Sequence, residues 1–144
     1  MTEPLGRFDH IAIAVRNESK DAARRFMTDV LGAVPGFKYA RPDFAFEHFH
    51  LGDLKIEVLW PTSEESFLTR FLEKRGEGLH HITLTVDDID GACARLESEN
   101  VSVVDKNKDN PQWMEAFISP RSAFGVLFQL AQPGSAPTPG IEGP

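Results

Sequence analysis

The sequence predicts an α+β fold in which a βαβββ unit occurs twice along the 144 residues. The first observation is a repeat: residues 8–15 (Phe-Asp-His-Ile-Ala-Ile-Ala-Val) return as residues 79–86 (Leu-His-His-Ile-Thr-Leu-Thr-Val). The second observation is that each copy is followed by a segment with helical periodicity. The third is that strand-like segments follow the helical segment in each half. Two structurally equivalent halves are the simplest explanation of this pattern.

The repeated segments are predicted to be strands with one apolar face. In the first copy every second residue from Ile11 to Val15 is a large aliphatic, whereas His10 and two alanines occupy the intervening positions. The second copy alternates in the same way and places His81 among threonines. Since such a strand packs its apolar face against helices, both histidines are expected on the face that borders a cavity.

Helices and domain limits follow from periodicity and from turn residues. The capping-type residues 17–19 precede the first helix, and Asp88 precedes the last. We predict one domain over residues 1–132, with modules at 8–60 and 79–131, and a disordered Pro- and Gly-rich tail at 133–144. The predicted helices are 20–31, 89–99 and a connecting helix at about 65–75.

A predicted hairpin places a histidine next to a carboxylate. Residues 44–51 and 55–60 read as two strands joined by Gly52 and Asp53, a pair typical of tight turns. This turn would put His48 directly opposite Glu57, so that both side chains lie on one face of the sheet. Since Glu57 is embedded in an apolar strand, the sequence indicates that it is paired or bound to a metal.

Composition excludes several classes of function. A formal charge of −7, a pI near 5.2 and scattered basic residues disfavour nucleic acid as a partner. No stretch resembles a signal peptide or a membrane span, and the single Cys93 cannot form an internal disulfide. We therefore expect a cytoplasmic protein with no membrane partner and a buried, inert thiol.

The repeat also pairs four potential metal ligands. His10 and His81 lie 71 residues apart, and Glu57 and Gln129 lie 72 residues apart. Each half therefore carries a histidine on its first strand and a Glu or Gln on its last. Combining the halves predicts a site built from four side chains of types that bind divalent cations.

Four stretches of the chain carry a family resemblance: residues 8–15, 51–57, 71–82 and 117–127, of which the run ending in the paired histidines is the most specific. On these residues the chain resembles the vicinal-oxygen-chelate superfamily (glyoxalase, bleomycin-resistance and dioxygenase proteins), and within it the methylmalonyl-CoA epimerases. The resemblance implies that the two modules form a cupped mixed sheet around one divalent metal ion.

The resemblance also implies residue roles. His10, Glu57, His81 and Gln129 would hold one ion per chain, of Co, Ni, Zn, Mn, Mg or Fe, with no other bound cofactor. The resemblance implies a homodimer and a small-molecule substrate such as an acyl-CoA, from which a carboxylate such as Glu57 would remove a proton next to the carbonyl. The predicted position of His48 opposite Glu57 makes this histidine an alternative base. Two departures are apparent: Gln129 stands where the epimerases carry a glutamate, and Phe46 stands where some bacterial epimerases carry the acid-base carboxylate.

Three alternative functions fit the same residues. One is a glyoxalase-like lyase acting on another oxygenated carbonyl compound, and a second is an Fe(II) dioxygenase using two histidines and one carboxylate. The third is a metal-free binding protein of the resistance type, which the four candidate ligands disfavour. The sequence itself does not separate epimerase from lyase.

Overall fold

Strands dominate the computed structural model of the chain, which describes residues 2–134. Two short 3-10 turns, Asn17–Ser19 and Pro120–Ser122, and one π turn, Phe26–Val30, complement the regular elements. The strands are β1 Arg7–Ala14, β2 Val34–Ala40, β3 Phe44–Leu51, β4 Leu54–Pro61, β5 Gly78–Thr85, β6 Val103–Asn107, β7 Trp113–Ile118 and β8 Phe128–Pro133. The α-helices are α1 Lys20–Arg25, α2 Phe67–Arg75 and α3 Ile89–Ser98.

The strands form an eight-stranded mixed sheet, in the order β2-β3-β4-β1-β5-β8-β7-β6. In each half of this order one parallel pair is followed by antiparallel pairs: β1 is parallel to β4, and β5 is parallel to β8. The predicted α+β class and the repeated βαβββ order are therefore confirmed. By compactness the described chain divides into two units, residues 10–80 and residues 2–9 with 81–134.

The unit of residues 10–80 buries both faces of β3 and β4 over most of their length, whereas β2 is largely exposed. On one face Phe49, Val58 and Trp60 pack with Met27 of the π turn. On the other, the alanines of β1 lie beside Phe46 and Leu59, and α2 covers them with two leucines. The small residues predicted for one face of β1 are thus fully buried, and the aliphatic residues lie on the opposite face, as the alternation indicates.

The helix that follows β1 covers the predicted range but changes type along its length. It begins as a 3-10 turn, and the amide of Leu31 bonds to the carbonyl of Phe26, which gives a π turn at its end. Gly32 then adopts φ +73°, the positive value expected of a helix-stopping glycine. The prediction that residues 17–19 cap this helix is wrong. Arg16 precedes the 3-10 turn and Ser19 precedes α1, and neither side chain makes a capping hydrogen bond.

The second unit centres on α3 and the strands β6 to β8. Leu130 and Ala116 are fully buried and pack with Ile89 and Cys93. Burial raises the pKa of the Cys93 thiol, in keeping with the inert thiol that the sequence predicts. Asp88 precedes α3 without a side-chain capping bond, and the amide of Ile89 instead donates to Oε1 of Gln132 at 2.8 Å.

Some strand limits differ from the prediction. The mainly apolar residues 101–104 predict a strand, but β6 starts only at Val103, because the amide of Val101 still bonds to the carbonyl of Leu96 at the end of α3. The strand then runs into the polar stretch through a bulge at Asp105, which has φ +52°. Strand β8 ends at Pro133, so the first residue of the predicted tail is ordered, and residues 135–144 lie outside the described chain.

Among the described residues, no helix combines the length and the apolar character that crossing a bilayer requires.

Candidate functional site

Glu57 is the most deeply buried carboxylate of the unit of residues 10–80. It lies on β4 between Ile56 and Val58, and its side chain is fully inaccessible. Strand β3 places His48 directly opposite, with Nε2 2.9 Å from Oε1 of Glu57. The predicted opposition of these two residues is confirmed, and it gives the carboxylate a hydrogen-bonding imidazole at close range.

His10 approaches the same carboxylate oxygen from β1. Because β1 and β4 are parallel with Ala12 beside Glu57, the side chain of His10 projects toward that carboxylate, and Nε2 lies 3.7 Å from Oε1. The rings of His10 and His48 are 5.7 Å apart. Two imidazoles therefore surround a carboxylate from which solvent is excluded, an arrangement that is costly unless the charge is compensated.

An aromatic cluster continues from His48 along β3 and β2. We define it as Phe37, Tyr39, Phe44 and Phe46. The rings of Phe46 and Phe37 lie 5.1 Å and 6.2 Å from the ring of His48, and Tyr39 extends the cluster at 6.1 Å from Phe37. The buried pair of His48 and Glu57 therefore borders a strongly apolar surface.

Gln129 is the corresponding buried residue of the second unit. Its amide oxygen accepts a 2.7 Å hydrogen bond from the hydroxyl of Thr83, which β5 places directly beside it. Its Nε2 donates to Oε1 of Glu115 on β7 at 3.0 Å, and Nε1 of Trp113 donates to the same oxygen at 3.2 Å. Gln129 thus belongs to a hydrogen-bonded group of four side chains.

Sequence reasoning missed two members of that group, Thr83 and Glu115. Thr83 could have been found from strand parity, because it shares a face of β5 with His81. Glu115 resembles Glu57 in its sequence context, because it is an acidic residue within residues 113–118, a mainly apolar segment that predicts a strand and forms β7. Without the tertiary structure, however, nothing connects Glu115 to Gln129.

Metal-ligand geometry is present among buried residues. His10, Glu57 and His81 could hold a metal ion, because each offers one ligand atom and these atoms all lie within 4.8 Å of one another. All three side chains are buried. Two imidazoles and one carboxylate are a donor set that suits divalent first-row metals, so the residues present fit such an ion.

His80, the neighbour of His81, has a different environment. Its ring packs edge-on against Phe71 at 4.7 Å and lies 5.7 Å from Phe67. Burial lowers the pKa of His80 to about 4, so the ring is neutral near pH 7. These contacts give His80 a packing role, and strand parity places it on the face of β5 opposite to that of His81, the candidate ligand.

Comparison with known proteins identifies the family. The family model of the glyoxalase/bleomycin resistance protein/dioxygenase superfamily matches residues 9–117. The chain belongs to this superfamily. Its fold, with two repeated modules in one mixed sheet, is the fold of the superfamily members to which it is similar.

The superfamily members most similar to the chain include methylmalonyl-CoA epimerases. The mitochondrial enzyme of Mus musculus is 34% identical over 133 residues, which covers 89% of this chain and 74% of the relative. The crystal structure of the Mycobacterium tuberculosis enzyme aligns with a TM-score of 0.79 at 28% identity, covering 95% of this chain and 93% of the other. These relatives indicate that the chain is an enzyme of the superfamily.

A third structure is a variant of the Streptomyces coelicolor methylmalonyl-CoA epimerase in complex with 2-nitronate-propionyl-CoA. It aligns with a TM-score of 0.77 at 26% identity and covers 92% of this chain and 100% of the other. That superfamily member therefore binds a small molecule of the acyl-CoA class.

Proposed function

We propose that the chain is a metal-dependent epimerase that removes the proton next to the carbonyl of an acyl-CoA. The observation that carries the proposal is the convergence of ligand atoms from His10, Glu57 and His81 within 4.8 Å. Epimerase relatives that match about nine tenths of the chain support the choice of reaction. A methylmalonyl-CoA-like thioester is the substrate class that these relatives suggest.

The proposed ion would be held by His10, Glu57, His81 and Gln129. When bound, a divalent cation supplies the Lewis acidity that stabilises negative charge on the carbonyl oxygen of the substrate. The burial of the four side chains keeps water away from their donor atoms, which strengthens every electrostatic interaction among them. Imidazole and oxygen donors together leave the identity of the metal open among Co, Ni, Zn, Mn, Mg and Fe.

His48 would move the proton. An ionised Glu57 can only accept a hydrogen bond, so the 2.9 Å contact requires Nε2 of His48 to carry the hydrogen. The lone pair then resides on Nδ1, the atom that would accept the substrate proton. Glu57 fixes this tautomer and stabilises the cationic ring after proton transfer, a role that a carboxylate next to a catalytic histidine commonly has.

Two measurements test the proposal. Protein purified without a histidine tag should retain about one divalent ion per chain, and His10→Ala should lose it, whereas His50→Ala, at an exposed position of β3, should not. In deuterated water the wild type should introduce deuterium next to the thioester carbonyl of methylmalonyl-CoA. Wild-type protein that binds no metal and exchanges no proton would contradict the proposal.

A second candidate is Fe(II) dioxygenase chemistry. It is favoured by the donor set itself, because two histidines and one carboxylate are the ligands typical of non-haem Fe(II) oxygenases. The metal that restores activity to chelator-treated protein separates the two functions. Proton exchange restored by several redox-inactive cations favours the epimerase, whereas oxygen consumption restored by Fe(II) alone favours the dioxygenase.

A further inference from the structure

Gln129 is the neutral counterpart of Glu57 in the repeat, yet it has a carboxylate directly behind it. Its side chain is completely buried, and Nε2 donates to Oε1 of Glu115 at 3.0 Å. Strand β7 puts Glu115 and Phe117 on the same face, with Phe117 opposite Gln129. In the second unit the residue equivalent to Glu57 is therefore the neutral Gln129, and a carboxylate, that of Glu115, is hydrogen-bonded to it.

The partners of Gln129 allow one orientation of its amide. An ionised Glu115 can only accept, so the amide nitrogen must face it, and reversing the amide would bring two oxygen atoms together. At the other end, the hydroxyl of Thr83 donates to Oε1 at 2.7 Å. The amide oxygen is therefore held on the side away from Glu115, and only this oxygen can serve as a ligand.

The same contact changes the electronic character of the amide. A hydrogen bond from Nε2 to a carboxylate shifts electron density toward the carbonyl oxygen, because hydrogen-bonded groups polarise one another in a low-dielectric interior. The indole of Trp113 donates to the same oxygen of Glu115 and fixes the position of the carboxylate. A carboxylate that accepts a hydrogen bond from a metal-ligating histidine has a comparable effect, because it orients the histidine and raises its basicity.

From these contacts we propose that Glu115 is a positioning residue that makes Gln129 an effective ligand for a divalent cation. The pair formed by Gln129 and Glu115 takes the place of a single carboxylate ligand: the amide supplies the oxygen, and the carboxylate supplies the charge. This inference rests on the proposed metal site. It explains how one half of the repeat can present an amide where the other half presents Glu57.

An exchange of the two side chains tests the proposal. The variants are Glu115→Gln, Gln129→Glu and the double variant that carries both changes, which returns one amide and one carboxylate to the same pair of positions. Glu47→Gln is the matched control, because Glu47 is a buried strand carboxylate that pairs with Arg24 at 3.2 Å and lies on the opposite face of β3 from His48. Metal affinity is measured by competition with a chelator, and thermal unfolding is measured on metal-free protein.

Glu115→Gln keeps a hydrogen-bond acceptor for Nε2 of Gln129 but removes the carboxylate charge. Metal affinity should therefore fall about tenfold or more, which is the typical loss when a residue hydrogen-bonded to a metal ligand is replaced. Gln129→Glu should lower the melting temperature of metal-free protein, because it places two carboxylates at hydrogen-bonding distance. The double variant should recover both properties, and Glu47→Gln should leave metal affinity unchanged.

The outcomes separate this inference from the proposed function. Wild-type protein that binds a metal while Glu115→Gln binds it equally well overturns the role of Glu115 and leaves the metal site standing. A double variant no better than its two parents also overturns the role, since the effects would then not be coupled through the pair. Wild-type protein that binds no metal overturns the site and this inference together.

Discussion

His48 and Glu57 are cross-strand partners whose side chains meet at 2.9 Å in the interior of the sheet. The contact follows from a tight turn at Gly52, which has φ +61° and fixes the register of β3 against β4. His10 adds a second imidazole 3.7 Å from the same oxygen. A carboxylate surrounded in this way is fixed in position, which is what both metal binding and proton transfer require.

Replacement of His48 by phenylalanine should abolish proton transfer while preserving ring volume. We expect the rate of deuterium incorporation to fall by about 100-fold or more, the usual contribution of a general base. Loss of the hydrogen bond from Nε2 of His48 to Oε1 of Glu57 should also lower the free energy of unfolding by about 1 to 3 kcal/mol. Deuterium exchange by mass spectrometry and urea unfolding measure the two effects. His50→Phe, at an exposed position of the same strand, is the control, and unchanged exchange in His48→Phe would exclude His48 as the base.

Phe46 should be the most sensitive position of the aromatic cluster. It is 1% exposed and contacts Phe37, Tyr39, Phe44 and His48 through its ring. Phe46→Ala should lower the free energy of unfolding by about 3 to 5 kcal/mol, because the substitution leaves a cavity in a packed core. Phe67→Ala, at a residue that is 40% exposed, should cost less than half as much. Equal losses for the two variants in urea titrations would contradict the predicted cost of the cavity.

The exposed charges that join α3 to β6 should make stability sensitive to acid. Lys106 and Lys108 each lie 2.6 Å from the carboxylate of Asp90, and their hydrogen bonds, that of Lys106 first, lower its pKa to about 2. A depressed folded-state pKa stabilises the protein above the unfolded value of 3.8, and this contribution is lost as pH falls from about 4 to about 2.

Asp90→Asn should therefore have a lower melting temperature than the wild type at neutral pH, and the difference should disappear near pH 2. High salt should also reduce it, since both lysines are solvent-exposed. Thermal unfolding at a series of pH values measures this difference in melting temperature. Comparison with the Asp90→Asn, Lys106→Met double variant measures the interaction between Asp90 and Lys106. A difference that is independent of pH would rule out the carboxylate charge as its cause.

Gly76 should be intolerant of any side chain for backbone reasons alone. It ends α2 with φ +74° and ψ −173°, a region that is essentially restricted to glycine, although a Cβ there would contact nothing within 4 Å. Gly76→Ala and Gly76→Asn should each lower the free energy of unfolding by about 1 to 3 kcal/mol. Asn100→Gly, at a position with φ +62°, should change stability little. A neutral Gly76→Ala would contradict the conformational argument.

Several features of the fold and site were predictable from the sequence. Alternation assigns the faces of β1 and β5, because side chains in a strand point to opposite sides in turn. The tight turn at Gly52 fixes the register that places His48 opposite Glu57. The repeat shows that His10 and His81 occupy equivalent positions in the two halves. These predictions succeed because they depend on local periodicity and on a tight turn, both of which are properties of short stretches of chain.

Only the tertiary structure showed that Thr83 and Glu115 hold the amide of Gln129. These contacts join residues 46 and 14 positions apart, and they depend on which strands are neighbours and on the rotamers of buried side chains. The π turn after α1 and the bulge at Asp105 were not predicted from the sequence either. Sequence periodicity determines which face a side chain occupies, whereas long-range packing decides which groups on that face touch.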